Sequence, residues 1–392
     1  MTDTLQVIVN GNPVGELHKE DGEYIFYYRT GIEAEHFISL TMPVRFKGYS
    51  ATQLLPLFEM HLPEGYLEAV IKKHFAKLVA TDHLGLLKLL APSIRGRVQY
   101  ASEEDTETSP ISLQSLLSPI NSELFTELVQ RFALRSPLSG VQPKVLARVK
   151  NKQIQHKATI KLDEYIVKAW GDDYPQLALN EYYCMMAAKL ADIEVPEFYL
   201  SDDDALFILK RFDITETGEL LGFEDMCVLQ AKQRDDKYTG SYEQVVKSIK
   251  SFVSPINRSR SLEQFFKMVV LNNALQNGDA HLKNFGVVYS NHQDVSLAPA
   301  YDMVSTTAYI SSDVPALTLF GSKRWWDKKN LIRFAVESCD LTPSKASRAY
   351  QACQIALQEL QILIEQRRQR EQNAEKSRLL DHLCDLIRRF IA

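Results

Sequence analysis

Several features are scarce or absent in this 392-residue sequence, and each absence narrows the class of protein. The five cysteines are an odd number without CxxC spacing, which argues against a disulfide framework and against a zinc site. No apolar run reaches the roughly 18 residues that would indicate a membrane span. The N-terminal stretch MTDTLQVIVNG reads directly as a strand instead of a signal peptide. We therefore expect a cytoplasmic protein.

An excess of positive charge is also missing. The 45 lysine and arginine residues are outnumbered by 50 aspartate and glutamate residues, which gives a formal net charge of −5. The chain therefore has no overall basic field with which to bind nucleic acid by itself, although a partner could supply one. Hydrophobic residues make up 45% and charged residues 24%, which is ordinary for a globular chain with two or three folding units.

Changes of pattern along the chain predict four segments. Residues 1–101 combine strand and helix patterns without a cluster of catalytic residue types, which favours a structural or partner-binding α+β unit. Residues 102–130 begin with the acidic run SEEDTETS and are predicted to be a linker and a helix. Residues 131–212 are predicted to form a small lobe with strands, and residues 213–392 a mostly helical lobe. Amphipathic helices are expected within the last segment over 331–336, 350–364 and 379–391.

The stretch NGDAHLKN, from Asn277 to Asn284, is the strongest candidate for a reactive site. A predicted hairpin of two short strands follows it, and then comes Asp302. Since a hairpin folds its ends together, Asn284 and Asp302 should lie near each other, with Asp279 just before the same edge. Carboxylate and amide oxygens suit Mg²⁺, and phosphoryl transfer uses an aspartate base with an asparagine and a later aspartate on metal. An Asn-Gly-Asp turn is, however, also common in ordinary loops.

Two other residues of this stretch have open roles. Lys283 could steady a transferring phosphoryl group as a point charge, or it could be a solvated loop lysine, and we count it among the catalytic candidates. His281 could orient Asp279 or the backbone, or it could be a structural histidine. We place it among the residues that would contact the cofactor.

A lysine and a glutamate upstream form a second pair of candidates. Lys168 stands in an apolar strand, where a lysine is costly to bury unless it meets anions. Glu181 follows in a strongly apolar helix. A strand lysine paired with a helix glutamate fixes nucleotide phosphates in kinases, and a buried structural salt bridge is the alternative.

Two loops complete the nucleotide-binding candidates. The small residues of LSGVQPK precede a strand and could bring backbone N–H groups close to phosphates, although the composition also suits an ordinary loop. These residues are Ser139, Gly140 and Val141. A later strand leads into a linker that would pass the adenine and could offer backbone hydrogen bonds. The linker residues are Lys210, Arg211 and Phe212.

In order, these features are a phosphate loop, a strand lysine, a helix glutamate, a linker, a catalytic aspartate and two metal ligands. This order resembles protein kinases, and in detail the chain resembles the HipA family of bacterial toxin serine/threonine kinases over essentially its whole length. The motifs that carry the resemblance are LSGVQPK, NEYYC, KRFD, EDMC, NGDAHLKNF and LAPAYDMVST, with VNGNPVGEL and HLPEGYL in the N-terminal segment.

The resemblance implies a protein-kinase-like, two-lobed α+β fold. The two lobes would be a small, mixed β-rich N-lobe and a helical C-lobe. An additional α+β subdomain would precede them at the N-terminus. Asp279 would be the catalytic base, Asn284 and Asp302 would bind Mg²⁺, Lys168 would bind ATP phosphates, and Phe212 would lie at the adenine.

Family members can inactivate themselves by autophosphorylating a serine of the phosphate loop, which the resemblance places at Ser139. Some relatives carry two serines that flank one residue, but this chain reads Pro137-Leu138-Ser139, so the first serine of that pair is missing. Ser136 lies one position earlier. The Tyr-Asp-Met context of Asp302 also replaces Asp-Phe-Gly, which puts an ordinary activation-loop switch in doubt.

The function implied is that of an ATP- and Mg²⁺-dependent kinase, the toxin of a toxin–antitoxin pair, acting on a translation protein such as an aminoacyl-tRNA synthetase. The implied partner is a small helix-turn-helix antitoxin, similar to HipB, that would bring operator DNA. One alternative is a small-molecule phosphotransferase, against which LSGVQPK and the N-terminal segment argue. Another is a partner-binding pseudokinase or co-repressor, against which the intact Lys168, Asp279, Asn284 and Asp302 argue.

Overall fold

The computed structural model describes residues 4–62, 82–94, 96–101, 117, 158–161, 165–169 and 173–392. The predicted phosphate loop, with Ser139, Gly140 and Val141, lies outside the described residues. Within the described ranges no helix has the length and apolar character needed to cross a membrane.

The N-terminal unit is built on one antiparallel sheet of five strands. They are β1 (Thr4–Val9), β2 (Asn12–Glu20), β3 (Glu23–Tyr28), β4 (Tyr49–Ala51) and β5 (Val98–Tyr100), in the spatial order β4-β3-β2-β1-β5. Asn10 and Gly11 connect β1 to β2 with positive φ angles of 47° and 79°, which suit the twist of a tight hairpin. Helices α1 (Pro56–Met60) and α2 (His83–Leu90) add leucines to the core of the sheet.

The small lobe contains a four-stranded antiparallel sheet and one long helix. The strands are β6 (Ala158–Lys161), β7 (Tyr165–Ala169), β8 (Phe198–Leu200) and β9 (Leu206–Lys210), in the order β6-β7-β9-β8. Helix α3 (Leu177–Leu190) begins after Gln176, whose φ is +62°. Most of this helix is buried, and its polar residues Asn180 and Glu181 face other parts of the protein and not water.

The large lobe is helical around a three-stranded antiparallel sheet. The strands are β10 (Gly222–Asp225), β11 (Gly286–Tyr289) and β12 (Val295–Leu297). The helices are α4 (Met226–Leu229), α5 (Tyr242–Phe252), α6 (Pro255–Ala274), α7 (Lys328–Glu337), α8 (Pro343–Arg370) and α9 (Ala374–Ile391). One continuous apolar core joins these helices to α3.

The last three helices begin earlier than apolar spacing alone predicted, because a polar capping residue sets each start. Asp327 accepts a hydrogen bond from the backbone N–H of Asn330 at the start of α7. Thr342 caps α8 and Asn373 caps α9 in the same way. Each cap satisfies a backbone N–H that has no partner within its helix, and so fixes where the helix starts.

A buried carboxyl group joins the N-terminal unit to the large lobe. Glu224 on β10 is fully buried and accepts hydrogen bonds from Ser39 Oγ (2.6 Å), the Leu40 backbone N–H (2.8 Å) and Tyr289 Oη (2.6 Å). Burial raises the pKa of Glu224 above its usual value, although these donors favour the ionised form. Arg97 lies over the Tyr289 ring nearby. The junction is therefore a polar network within the core.

A second buried carboxylate fastens the small lobe to the C-terminal helices. Asp204 lies in the turn between β8 and β9 with a φ of +62°. Its Oδ2 is 2.7 Å from Arg367 Nη2 on α8 and 2.5 Å from Lys376 Nζ on α9. Two cations on one carboxylate make strong charge-assisted hydrogen bonds. The far end of the small sheet is thereby tied to the helices of the large lobe.

Candidate active site

The segment that carries the candidate base follows α6 and is fixed by its own polar side chains. Asn277 donates from Nδ2 to Asn272 Oδ1 (2.9 Å) and accepts from the Asp279 backbone N–H (3.1 Å). The Gly278 backbone N–H donates to Thr306 Oγ1 at 2.8 Å. A Cβ atom on Gly278 would lie 2.8 Å from that same oxygen, so only glycine fits without displacement.

The β11–β12 hairpin brings Asn284 and Asp302 into contact. Asn284 Nδ2 donates to Asp302 Oδ2 at 2.5 Å, and Asn284 Oδ1 accepts from the His281 backbone N–H at 3.1 Å. Asp302 has a φ of +57°, a conformation that asparagine and aspartate tolerate better than most side chains. The two candidate metal ligands thus share one site, although 18 residues separate them.

Lys168 connects the small lobe to Asp302. Its ammonium group is hydrogen-bonded to Glu181 of α3 and lies 2.8 Å from Asp302 Oδ1. The side chains of Lys168 and Glu181 are 9% and 1% exposed, so both charges depend on each other and on Asp302 for compensation. The sheet, the helix and the segment after the hairpin therefore meet at one ammonium group.

Asp279 lies at the edge of this site, and Tyr238 contacts it. The Tyr238 hydroxyl donates to Asp279 Oδ1 at 2.7 Å, while His281 Nε2 is 3.9 Å from the same oxygen. The Asp279 side chain is 42% exposed and the His281 side chain 8%. The candidate base can therefore be reached from solvent, whereas the histidine packs beneath it.

Lys283 projects towards a buried carboxylate. Its Nζ is 3.9 Å from Asp225 Oδ2, and its backbone carbonyl accepts from the Tyr301 hydroxyl at 2.8 Å. Asp225 also caps α4 by accepting from the Val228 backbone N–H. The lysine side chain is 17% exposed, so it belongs to the packed wall of the site and is not a solvated loop residue.

The three linker residues occupy different environments. Lys210 lies at the surface, where Nζ is 2.6 Å from Glu197 Oε1. Arg211 is buried and makes two 2.9 Å hydrogen bonds to the carboxylate of Asp213. Phe212 stacks on Tyr301 with ring centroids 5.5 Å apart. The Phe212 side chain therefore contacts the segment leading to Asp302.

Sequence patterns gave no indication of Tyr238 or of Thr306. Tyr238 lies 41 residues before Asp279, in a polar stretch without periodicity. Thr306 accepts from Gly278 across 28 residues. Both contacts form between loops, where residue spacing carries no information about which side chains meet.

Two family models match the chain. A model described as the HipA N-terminal domain matches residues 5–101, and one described as the HipA-like C-terminal domain matches residues 136–360. The second match alone covers more than half of the chain. The chain therefore belongs to the HipA family.

Individual proteins are similar to this chain at low sequence identity. A Sinorhizobium fredii protein named "Putative kinase Y4dM" is 28% identical over 351 residues, covering 82% of this chain and 81% of that protein. A second protein of that organism, named "Putative kinase Y4mE", is 23% identical over 293 residues and covers 69% of each chain.

Among solved structures, the Shewanella oneidensis HipA, determined with HipB and operator DNA, matches with a TM-score of 0.70. The match covers 99% of this chain and 97% of that chain at 15% identity. The predicted fold is confirmed: a protein-kinase-like, two-lobed α+β fold with an additional N-terminal subdomain.

Proposed function

We propose that this chain is an ATP- and Mg²⁺-dependent protein serine/threonine kinase, and the toxin of a toxin–antitoxin pair. The observation that carries the proposal is the bridge that Lys168 makes between Glu181 and Asp302, with Asn284 on the other oxygen of Asp302. Phosphoryl transfer in kinases depends on a lysine–glutamate pair beside the metal-binding residues. The names of the two relatives support the same class of enzyme.

The donor set at Asn284 and Asp302 fits Mg²⁺. Carboxylate and side-chain amide oxygens are hard ligands, and the Asp302 side chain is 21% exposed, so nucleotide phosphates can approach it. Asp302 and Asn284 would hold the ion, and Lys168 would contact the phosphates. The ion would neutralise charge on the phosphate oxygens. Phe212 and the linker backbone would contact the adenine.

Asp279 is proposed as the general base. Its carboxylate takes the proton of an acceptor hydroxyl while the hydroxyl oxygen bonds to the γ-phosphorus and ADP leaves. The 42% exposure of the Asp279 side chain allows a protein acceptor to reach it. Lys283 packs beside the acceptor position, and His281 packs beneath the segment that carries Asp279.

We infer that Ser139 is the site of self-inactivation. A phosphate there would add roughly −1.5 to −2 charges at pH 7 and would repel the phosphates of ATP. Incubation with Mg-ATP and mapping of phosphosites tests this idea. Phosphate on Ser139 that accumulates as activity falls, and that is absent in Asp279→Asn, is the expected result. An unmodified Ser139 in an enzyme that has lost its activity during the incubation would contradict self-inactivation at this site.

The proposed partner is a small helix-turn-helix antitoxin, and the proposed acceptor is a translation protein such as an aminoacyl-tRNA synthetase. The net charge of −5 gives no overall basic field for DNA, and a partner could supply one. The Shewanella oneidensis HipA was solved with HipB and its operator DNA, which supports a partner of this kind. Phosphoproteomics after brief induction would identify the acceptor.

The kinase assignment is tested with Asp279→Asn and Asp302→Asn. We expect each to lower phosphoryl transfer by roughly 100- to 10,000-fold, because one loses the base and the other a metal ligand. Nucleotide affinity should fall in Asp302→Asn only. Asp340→Asn is the matched control, since Asp340 also has a left-handed φ of +56° but pairs with Lys250 at the surface. Wild-type turnover in Asp279→Asn would overturn the assignment.

Toxicity is tested in cells. Expression of the wild-type chain without a partner should arrest growth, and Asp279→Asn should relieve the arrest at equal protein level. Equal toxicity of the two proteins would point to a non-catalytic effect and would contradict the toxin proposal.

A further inference from the structure

We propose that Tyr238 is a positioning residue for phosphoryl transfer, which holds one oxygen of Asp279 so that the other faces the acceptor hydroxyl. This inference rests on the proposed function, because it assigns Asp279 as the base. Tyr238 belongs to the segment Arg234–Gly240, which we call the tyrosine loop.

The contact between Tyr238 and Asp279 is a single hydrogen bond with a defined geometry. The Tyr238 hydroxyl donates to Asp279 Oδ1 at 2.7 Å, within the normal range for a hydrogen bond to a carboxylate. The Tyr238 ring lies edge-on to the His281 ring, with centroids 5.1 Å apart and an interplanar angle of 83°. The phenol is thus held from beneath by the ring of the buried histidine.

A carboxylate that is 42% exposed needs such a contact to keep one orientation. The Asp279 side chain has few rotatable bonds, but an exposed aspartate samples several rotamers unless a donor fixes it. A hydrogen bond on Oδ1 leaves Oδ2 for the acceptor proton. The rate of proton transfer depends on this alignment, since a displaced base no longer reaches the hydroxyl.

The backbone of the tyrosine loop is fastened to the catalytic segment. The carbonyl of Lys237 accepts from the Leu282 backbone N–H at 3.0 Å. The carbonyl of Gly240 accepts from both the backbone N–H and the Oγ1 of Thr318, each at 3.1 Å. Tyr238 therefore sits between two fixed points, so its hydroxyl arrives at Asp279 with a defined position.

The start of the tyrosine loop is attached to the N-terminal unit. The Arg234 backbone N–H donates to Glu59 Oε2 at 2.8 Å, and Arg234 Nε is 3.7 Å from Glu59 Oε1. Glu59 is buried on α1. The N-terminal unit therefore supports the acceptor side of the site through a chain of contacts from Glu59 to Tyr238 and Asp279.

A competing role for the phenol predicts that removal of its hydroxyl has the opposite effect on the rate of phosphoryl transfer. A hydroxyl bonded to the base could occupy the acceptor's place and slow the reaction until it moves aside. The two fixed points on the loop favour the positioning role, because they hold the phenol on Oδ1. Removal of the hydroxyl would slow transfer under the positioning role and speed it under the competing role.

The test compares Tyr238→Phe with Tyr27→Phe in the full chain. Tyr27 is the matched control, because it is 47% exposed against 44% for Tyr238 and its ring also lies beside a histidine, in the N-terminal sheet. ADP formation from Mg-ATP gives kcat and the KM for ATP, and intact-mass spectrometry counts the phosphates added to the chain. We expect Tyr238→Phe to lower kcat by about 10- to 100-fold, with the KM for ATP changed less than about twofold. Tyr27→Phe should match the wild type.

The outcomes separate this inference from the proposed function. A wild-type chain that forms no ADP would refute both. An active wild type with an equally active or faster Tyr238→Phe would refute the positioning role alone. Loss of nucleotide affinity together with kcat in Tyr238→Phe would indicate a general disturbance of the fold and would also count against the inference. Glu59→Gln should lower kcat by a smaller factor, again with the KM for ATP unchanged.

Discussion

The ammonium group of Lys168 lies 2.8 Å from Asp302 Oδ1 while it also bonds to Glu181, so one cation joins elements that are 134 residues apart in the chain. Lys168 on the small sheet contacts both Glu181 on α3 and Asp302 in the segment that follows the β11–β12 hairpin. The relative position of the two lobes and the geometry of the candidate metal site therefore depend on the same residue.

Lys168→Met should remove both contacts and keep a long, apolar side chain. Breaking a buried ion pair by removing one partner costs about 3–5 kcal/mol of unfolding free energy. Nucleotide affinity should also fall. Urea unfolding and a nucleotide titration measure the two effects. Lys250→Met is the control, since Lys250 pairs with Asp340 at the surface of the large lobe, and it should change neither quantity appreciably. If the two variants have the same unfolding free energy and the same nucleotide affinity, the predicted role of the contacts of Lys168 is contradicted.

Gly278→Ala should displace the catalytic segment. The added Cβ would lie 2.0 Å from Asp313 Oδ2 and 2.8 Å from Thr306 Oγ1, so the loop or these side chains must move. A shift of this size can slow the reaction by up to roughly 100-fold. The double variant Gly278→Ala/Asp313→Ala should recover part of the rate, because the nearest obstacle is gone. Rates of ADP formation for the single and double variants decide this, and a fully active Gly278→Ala would contradict the prediction.

Glu224→Gln should change how stability depends on pH. Burial raises the pKa of Glu224 in the folded state above its ordinary value of 4.5, so the protonated carboxyl favours folding at low pH. That contribution decreases as the pH rises from 4.5 towards the folded-state pKa. Glutamine cannot ionise. The unfolding free energy of the variant, relative to wild type, should therefore improve as the pH rises.

The prediction for Glu224 is measured by urea unfolding of the wild type and of Glu224→Gln at a series of pH values from 4.5 upwards. Glu216→Gln is the control, because Glu216 is exposed in the turn before β10. Glu216→Gln should unfold close to wild type, because an exposed side chain contributes little to stability. A difference for Glu224→Gln that is constant with pH, or that falls as the pH rises, would contradict the assignment of a raised pKa.

Asp204→Asn should loosen the attachment of the small lobe. Asparagine tolerates the left-handed backbone at this position, so the change acts on the charge. Loss of charge-assisted bonds to Arg367 and Lys376 should cost about 1.5–3 kcal/mol of unfolding free energy. Hydrogen exchange in β8 and β9 should increase. Asp381→Asn is the control, since Asp381 pairs with Arg368 between exposed positions of the same two helices. Unchanged exchange in β8 and β9 would contradict the prediction.

The parts of the site that could be predicted from the sequence are those that local chain geometry determines. The hairpin before Asp302 fixes where that residue returns, so its proximity to Asn284 follows from strand pairing. Lys168 and Glu181 lie on adjacent elements, a strand and the next helix. The two-lobed fold could be predicted from the resemblance to the HipA family, which the motifs and their order along the chain carry.

The contacts that could not be predicted join distant surfaces. Ser39 and Glu224 are 185 residues apart, and Arg367 and Asp204 are 163 apart. No periodicity relates such residues, and their pairing depends on how whole units dock. Lys210 illustrates a second limit. Phe212, two residues further on, contacts Tyr301, yet the Lys210 side chain lies at the surface. The strand ends at Lys210, so its alternation of faces does not extend to Phe212.

The bond between Asp204 and the C-terminal helices attaches the small lobe at its far end, away from the bond that Lys168 makes to Asp302. Attachment at separated points opposes a swing of the small lobe about either of them. Two spectroscopic probes, one on the small sheet and one on the large lobe, should therefore report a narrow distribution of distances.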